Sequence, residues 1–212
     1  AAGNGNAVVL ATVDSLEREG ALFITHEGQT DSSSYKVARQ LIEQYDGSTC
    51  AVEAYIYACQ WLRNKTKGRK ECLELARLGA KKYASSSRSY TLRNIAYGLT
   101  RPECTAVAGK RQVYEGQNLT IKLQALNVQK AQITFYYLPM PPSAQDLQYM
   151  DYSHLRKKVS GAAFTVTKAL DRKNEYETIT DSITVTFKQK GVYLARLTTD
   201  KNTKADYWPV YV

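Results

Sequence analysis

Through the first hundred residues the apolar positions recur every three or four places, the spacing of helices that each bury one stripe. Val9, Val13 and Leu16 begin the first stripe. Ser32 to Ser34 offer capping hydroxyls ahead of a second helix carrying Val37, Ala38, Leu41, Ile42 and Tyr45, and Asp46-Gly47-Ser48 stops it. Ala51, Ala54, Tyr55, Ala58, Cys59 and Leu62 mark a third helix, and Cys72, Leu75, Ala76, Gly79, Ala80 and Tyr83 a fourth. After the break at Ala84-Ser85-Ser86-Ser87, a last stripe runs through Leu92, Ile95, Ala96 and Leu99.

Part of this pattern repeats. Ala38-Arg39 leads to Tyr45 and Ser48, and Ala76-Arg77 leads to Tyr83 and Ser86, an offset of 38 residues. Each copy is followed by a second helix, so the segment reads as stacked helical hairpins of a tetratricopeptide-like kind, without that family's Trp-Leu-Gly signature. Tyr45 and Tyr83 are expected to plug equivalent junctions with buried rings. Small residues at Ala76, Gly79 and Ala80 would let neighbouring helices approach closely.

From residue 102 the period shortens to two. Leu119, Ile121, Leu123 and Ala125 alternate with polar neighbours, as do Ile183, Val185 and Phe187. Strands are predicted near Cys104–Ala108, Leu119–Leu126, Ala131–Leu138, Ala163–Ala169, Ile179–Phe187, Val192–Thr198 and Ala205–Val212. Turns are placed at Gly116, Asp171, Lys190-Gly191 and Asp200-Lys201-Asn202. The fold class expected is α+β in two segregated parts. A helical-hairpin domain (1–101) precedes a seven-stranded immunoglobulin-like antiparallel β-sandwich (102–212) that lacks the Cys…Trp…Cys hallmark. Pro102 and the lack of a Gly/Ser spacer predict no flexible linker between the halves, which are expected to touch.

One stretch breaks the regularity. Pro139-Met140-Pro141-Pro142 ends a strand, and residues 143–160 make a long connection carrying Leu147, Tyr149, Met150 and Tyr152. A connection of that length tends to be functional or packed down. Its apolar residues either dock on their own sandwich or the helical half, or form a partner-contact loop.

A net charge of +9 raises nucleic acid as a partner, but the excess is spread. Residues 1–101 hold 14 Lys and Arg against 10 Asp and Glu, and residues 102–212 hold 15 against 10. The basic run Lys65-Thr66-Lys67-Gly68-Arg69-Lys70 lies between two helices and reads as a solvated loop, with a phosphate contact the alternative. No nucleic-acid partner is expected.

Catalytic templates fail one by one. The chain has no G-x-x-x-x-G-K-[ST], no H-E-x-x-H and no G-x-S-x-G. Gly3-Asn4-Gly5, in an irregular-looking start, is too short for a phosphate loop. Cys50, Cys59, Cys72 and Cys104 show no zinc spacing with His26 or His154, and read as buried thiols; a disulfide among them would need an oxidising compartment, with the pairing open. Asp146 and Asp151 share the long connection without a pairing that marks general acid and base. No catalytic, metal or cofactor residue is assigned, and the chain is expected not to be an enzyme. No segment reaches the apolar length of a membrane span. The opening Ala1-Ala2-Gly3-Asn4-Gly5 lacks the features of a leader and looks trimmed, and the chain ends on a strand, so the natural protein is expected to continue.

Three segments carry a family resemblance. Val113-Tyr114-Glu115-Gly116-Gln117-Asn118-Leu119-Thr120-Ile121-Lys122-Leu123 resembles the first strands of a macroglobulin domain. Val128 to Pro139 and Lys190 to Thr199 follow in the matching order. Together they are similar to the N-terminal region of bacterial, Bacteroidetes-type alpha-2-macroglobulin family proteins, in which a helical segment precedes a macroglobulin domain. The resemblance covers 102–212, covers 60–101 loosely and leaves 1–60 unmatched. It implies a non-catalytic scaffold fragment of a protease-trapping endopeptidase inhibitor in the periplasm or cell envelope. Proteases or envelope proteins would be partners of the full-length chain, and membrane attachment would come only through other segments. The family's thioester needs a cysteine followed by Gly/Leu-Glu-Gln, and no cysteine here is so followed. The alternative is a cell-envelope adaptor that binds a peptide or protein partner through its helical repeats and sandwich.

Overall fold

The computed structural model describes residues 2–23, 32–148, 152–172, 174–201 and 203–212. His26, Tyr149, Met150, Asp151 and Asn202 lie outside them, as do the side chains of Ser32 and Leu147. By internal contacts the chain divides into two compact units. One comprises Ala1–Thr100 with Asn174–Tyr176, the other Arg101–Lys173 with Glu177–Val212.

The first unit is helical: α1 (Ala2–Phe23), α2 (Ser32–Gln44), α3 (Ala51–Arg63), α4 (Arg69–Lys82) and α5 (Ser89–Thr100), with a 3-10 turn at Thr66–Gly68. The apolar stripes converge on one core. Val9, Val13, Leu16, Ala38, Leu41, Tyr55, Cys59, Leu62, Cys72, Leu75, Ala76, Leu92, Ile95 and Leu99 are all buried in it. α1 extends back through Gly3-Asn4-Gly5, where the sequence suggested irregular backbone. Packing overrides the poor helix propensity of glycine there, because Gly5 lets α1 come down on Tyr45: a Cβ at Gly5 would sit 3.2 Å from the ring.

The 38-residue repeat is structural, down to individual bonds. The Tyr45 amide donates to Leu41 O (3.0 Å), Ser48 to Tyr45 O (2.8 Å), Ala51 to Ser48 O (3.1 Å) and Glu53 to Cys50 O (3.0 Å). One repeat on, Tyr83 donates to Gly79 O (2.9 Å), Ser86 to Tyr83 O (2.9 Å), Ser89 to Ser86 O (3.0 Å) and Thr91 to Arg88 O (3.0 Å). Ser48 Oγ accepts from the Cys50 amide and Ser86 Oγ from the Arg88 amide, each at 3.2 Å. Each serine thereby satisfies an amide that the start of the next helix leaves open. Consecutive turns are tied together by an Asp46–Lys82 ion pair, a hydrogen bond from Tyr83 Oη to Asp46 O (2.7 Å) and a two-pronged Arg88–Glu53 pair (2.6 and 2.7 Å).

The second unit holds seven strands in two antiparallel sheets. β1 (Glu103–Ala108), β2 (Asn118–Leu126) and β5 (Thr178–Thr186) form one in the order β1-β2-β5. β4 (Phe164–Ala169), β3 (Lys130–Leu138), β6 (Val192–Thr199) and β7 (Asp206–Tyr211) form the other in the order β4-β3-β6-β7. Register puts Leu119 opposite Val185 and Ile121 opposite Ile183 in the first sheet, and Ile133 opposite Leu197 and Phe135 opposite Ala195 in the second. These residues share a single buried core. At its centre Phe135 stacks on Phe164 (4.7 Å) and meets Phe187 edge-on (5.3 Å). The predicted turns at Gly116 and Gly191 have positive φ, +80° and +145°, which only glycine adopts without strain.

Candidate functional site

The sequence singles out two features: the long connection between β3 and β4, as a candidate partner-contact loop, and the junctions of the helical repeat, as sites plugged by Tyr45 and Tyr83.

The connection packs down on its own unit. A short helix α6 (Ala144–Gln148) is followed by a 3-10 segment, Tyr152–Lys158. Tyr152, Leu155 and Val159 join Tyr136, Leu138 and Leu194 in a separate buried cluster. They cover the face of the four-stranded sheet that points away from the main core. Tyr152 is only 6% exposed and has little area left for a partner. Leu147 lies on α6, and Tyr149 and Met150 are outside the described residues. Arg156 lies with its guanidinium 4.4 Å from the Tyr136 ring centre and donates to Val159 O (3.1 Å).

Asp146 latches the two ends of this connection together. Its Oδ2 accepts from the backbone amide and the hydroxyl of Ser143, both at 2.8 Å, and Ser143 Oγ accepts the Asp146 amide at 3.2 Å. Oδ1 meets His154 Nε2 at 2.9 Å, and Lys158 Nζ donates to both oxygens at 3.1 and 3.2 Å. The Ser143 amide, then its hydroxyl, His154 and Lys158 hold the Asp146 carboxyl well below the usual carboxylate range. A serine, a histidine and an aspartate therefore meet here, but not as a nucleophile relay: the Ser143 proton is committed to the carboxylate rather than to the imidazole. The cluster had a readable signal, since Ser143-x-x-Asp146 is a helix-capping spacing. The burial of the second sheet face was readable as well. Phe135-Tyr136-Tyr137-Leu138 is an apolar run without alternation, the pattern of a strand covered on both sides.

The repeat junctions differ from expectation in one respect. Tyr83 is 8% exposed, held edge-on to Tyr55 (5.8 Å between ring centres), and burial pushes its phenol up to about 12. Tyr45 is only half-buried, so the expectation of two equivalent plugs is corrected. The cause is what precedes each turn. Tyr83 has the Asp46 turn and Tyr55 over it, whereas Tyr45 has α1, which meets it through Gly5. Beside Tyr45 there remains a cleft of about 540 Å³, lined by Asn4, Gly5, Asn6 and Val8 of α1 and by Gln44, Tyr45, Gly47, Ser48 and Thr49. Ser48 Oγ donates to Asn6 Oδ1 across it. Every lining residue is uncharged, so the cleft offers amides, hydroxyls and one aromatic face to a neutral, hydrogen-bonding ligand.

The other sequence candidates find plain places. Lys65, at the head of the basic run, lies 5.2 Å over the Trp61 ring. Cys59, Cys72 and Cys104 are buried thiols and Cys50 is half-buried. Burial pushes the Cys104 thiol up to about 11. Among the described residues no group of three or more His, Cys, Asp or Glu could hold a metal ion. Among them, too, no helix is long and apolar enough to cross a membrane.

No protein-family model and no curated protein matches the chain. Among solved structures, a β-glucosidase from Listeria innocua in complex with gluconolactone is similar at 12% identity and TM-score 0.33, over 52% of this chain and 16% of the glucosidase. The PKD domain of an M14-like peptidase from a Thermoplasmatales archaeon is similar at 10% identity and TM-score 0.31, over 53% of this chain and 97% of the domain. A CARDB domain from Pyrococcus furiosus is similar at 14% identity and TM-score 0.28, over 52% of this chain and 88% of the domain. Likeness at this level carries no argument about function.

Proposed function

We propose that the chain is a non-catalytic scaffold segment of an alpha-2-macroglobulin-like, protease-trapping protein of the periplasm or cell envelope. The observation that carries this reading is where the three resembling segments fall. Val113–Leu123 leads into β2, Val128–Pro139 spans β3, and Lys190–Thr199 spans β6. These are the inner strands of their sheets, flanked on both sides. Lettered in chain order, the sheets read A-B-E and D-C-F-G. That order supports an immunoglobulin-like reading, with the fourth strand paired to the third where a constant-type domain pairs it with the fifth. A tetratricopeptide-like array ahead of it fits the helical segment that the resemblance implies.

In such a protein the trapping machinery, bait and thioester, lies in other segments, and this one holds position. The test uses the product of the complete reading frame. After incubation with an endopeptidase, the protease should keep its activity on a small peptide substrate and lose it on a large protein substrate, the signature of steric enclosure. Equal loss on both, or on neither, would overturn the reading, as would a reading frame with no further sandwich domains.

The second reading, an envelope adaptor, is favoured by the uncharged cleft at Tyr45. It predicts that a partner protein is captured through the helical unit and is released when Tyr45 is replaced by alanine.

A further inference from the structure

We infer that Cys59 and Cys72 form a disulfide that staples α3 to α4, and so joins one helical repeat to the next. The two residues face each other across the helix pair. Cys72 Sγ lies 3.1 Å from Cys59 O, and Cys59 Sγ lies 3.6 Å from Cys72 O. Each sulfur thus reaches the other residue's backbone across the contact between α3 and α4. Small residues make that approach feasible, since Ala58 and Ala76 beside the pair are both fully buried. A disulfide needs Cα atoms about 4.4–6.8 Å apart with Cβ atoms turned toward each other, and two sulfurs that each lie against the other residue's carbonyl have only a short distance to close.

The alternatives fail on reach. Cys50 precedes α3 by one residue and stands nine residues from Cys59, about 13 Å along a helix. Because α4 runs back along α3 with Cys72 opposite Cys59, Cys50 is similarly remote from Cys72. Cys104 sits on β1 in the core of the second unit.

The chemistry is thiol–disulfide exchange with an external disulfide, such as an oxidised glutathione or a periplasmic oxidant. One of the two thiolates attacks the external disulfide, forming a mixed disulfide and expelling one thiolate. The other cysteine, on losing its proton, then attacks the bonded protein sulfur and expels the second. Two protein thiols become one S–S bond, and the external disulfide leaves as two thiols. Both sulfurs are fully buried in the folded chain, so the exchange takes place while the core is still open. The bond closes the segment containing the basic 3-10 turn. It lies at the contact between repeats, on which a stacked array depends for its stability.

The test refolds the reduced, denatured chain in an oxidised glutathione buffer, blocks remaining thiols by alkylation and maps the peptides after trypsin and chymotrypsin, the second of which cuts at Tyr55 and Tyr57 between Cys50 and Cys59. The expected product is a cross-linked peptide pair carrying Cys59 and Cys72, with Cys50 and Cys104 alkylated. Adding reductant to that product should lower the thermal midpoint of the helical signal by at least about 5 °C. It should leave the Cys59→Ala/Cys72→Ala chain unchanged. A refolded chain with Cys59 and Cys72 both alkylated, or with either bonded to Cys50 or Cys104, would overturn the inference. Should the helical signal not return on refolding, the natively purified chain in sub-denaturing urea with oxidised glutathione is mapped instead, and the same two outcomes decide.

Discussion

Gly79 and Gly98 both sit inside helices of the first unit, and replacing each by alanine should move stability in opposite directions. Alanine is favoured over glycine in a helix by about 1 kcal/mol, because it loses less backbone freedom on folding. At Gly98, on α5, an added Cβ meets nothing within 4 Å, so most of that gain should appear. We expect G98A to stabilise by about 0.5–1 kcal/mol. At Gly79, on α4, the same atom would stand 2.8 Å from Leu92 Cδ1, 2.8 Å from Tyr55 Cδ1 and 3.0 Å from Tyr55 Cγ. Ordinary carbon contacts lie near 3.5–4.0 Å, so three atoms must retreat by more than half an ångström. Neither side chain has room to do so: Leu92 and Tyr55 are buried, and Tyr55 is also set against Tyr83. Overpacking of this kind costs about 1–3 kcal/mol, more than the propensity gain. G79A should therefore destabilise by about 0.5–2 kcal/mol net. Urea unfolding followed by helical circular dichroism, compared at a constant m-value, reads both variants. If the two substitutions stabilise alike, α4 does not pack against α3 and α5 through Gly79, and the account of close approach fails.

Tyr83→Ala should cost about 3–4 kcal/mol in the same assay, because it empties a covered site and removes the hydrogen bond to Asp46 O. Tyr45→Ala should cost about half as much, since that ring is only partly covered; equal losses would mean that the two junctions are alike after all. Asp146 should contribute to acid sensitivity. Its folded-state pKa is depressed, so its stabilisation is complete above the ordinary carboxylate value of about 3.9 and drains away as pH falls toward the folded value. Asp146→Asn should be less stable at neutral pH and lose less on acidification, seen by near-ultraviolet circular dichroism; an unchanged acid slope would remove the latch from the argument.

Much of this fold can be read from residue order alone, because local periodicity and burial agree almost everywhere. Leu119, Ile121, Leu123 and Ala125 alternate in sequence and are the buried residues of β2. The Tyr45 and Tyr83 spacing predicts a repeat that the turn hydrogen bonds reproduce. What was not legible depends on partners distant in sequence. Nothing near Tyr45 says that α1 would cover it only in part, and Gly3-Asn4-Gly5 is a poor local helix former that folds because of what it touches. Four cysteines permit several pairings, and only the crossing of α3 and α4 singles out Cys59 and Cys72. Asp146 falls between these cases. Its cap with Ser143 is local and visible, whereas the contributions of His154 and Lys158 depend on how the chain curls over the sheet.

The atom-for-atom recurrence of the turn bonds bears on how such a chain can change length. Excising residues 46–83 would place Ala84, Ser85 and Ser86 directly after Tyr45. α2 would then lead into α5 through the same amide-to-carbonyl pattern and the same serine. Recombination between the two copies would thus yield an array one step shorter or longer with its backbone bonding intact. A deletion that runs across either turn and is not a whole step would misplace Ser48 or Ser86 and leave the next helix without its accepting hydroxyl. Length in this segment is therefore quantised, and the count of helical pairs is open to variation between descendants while the geometry of each pair is not.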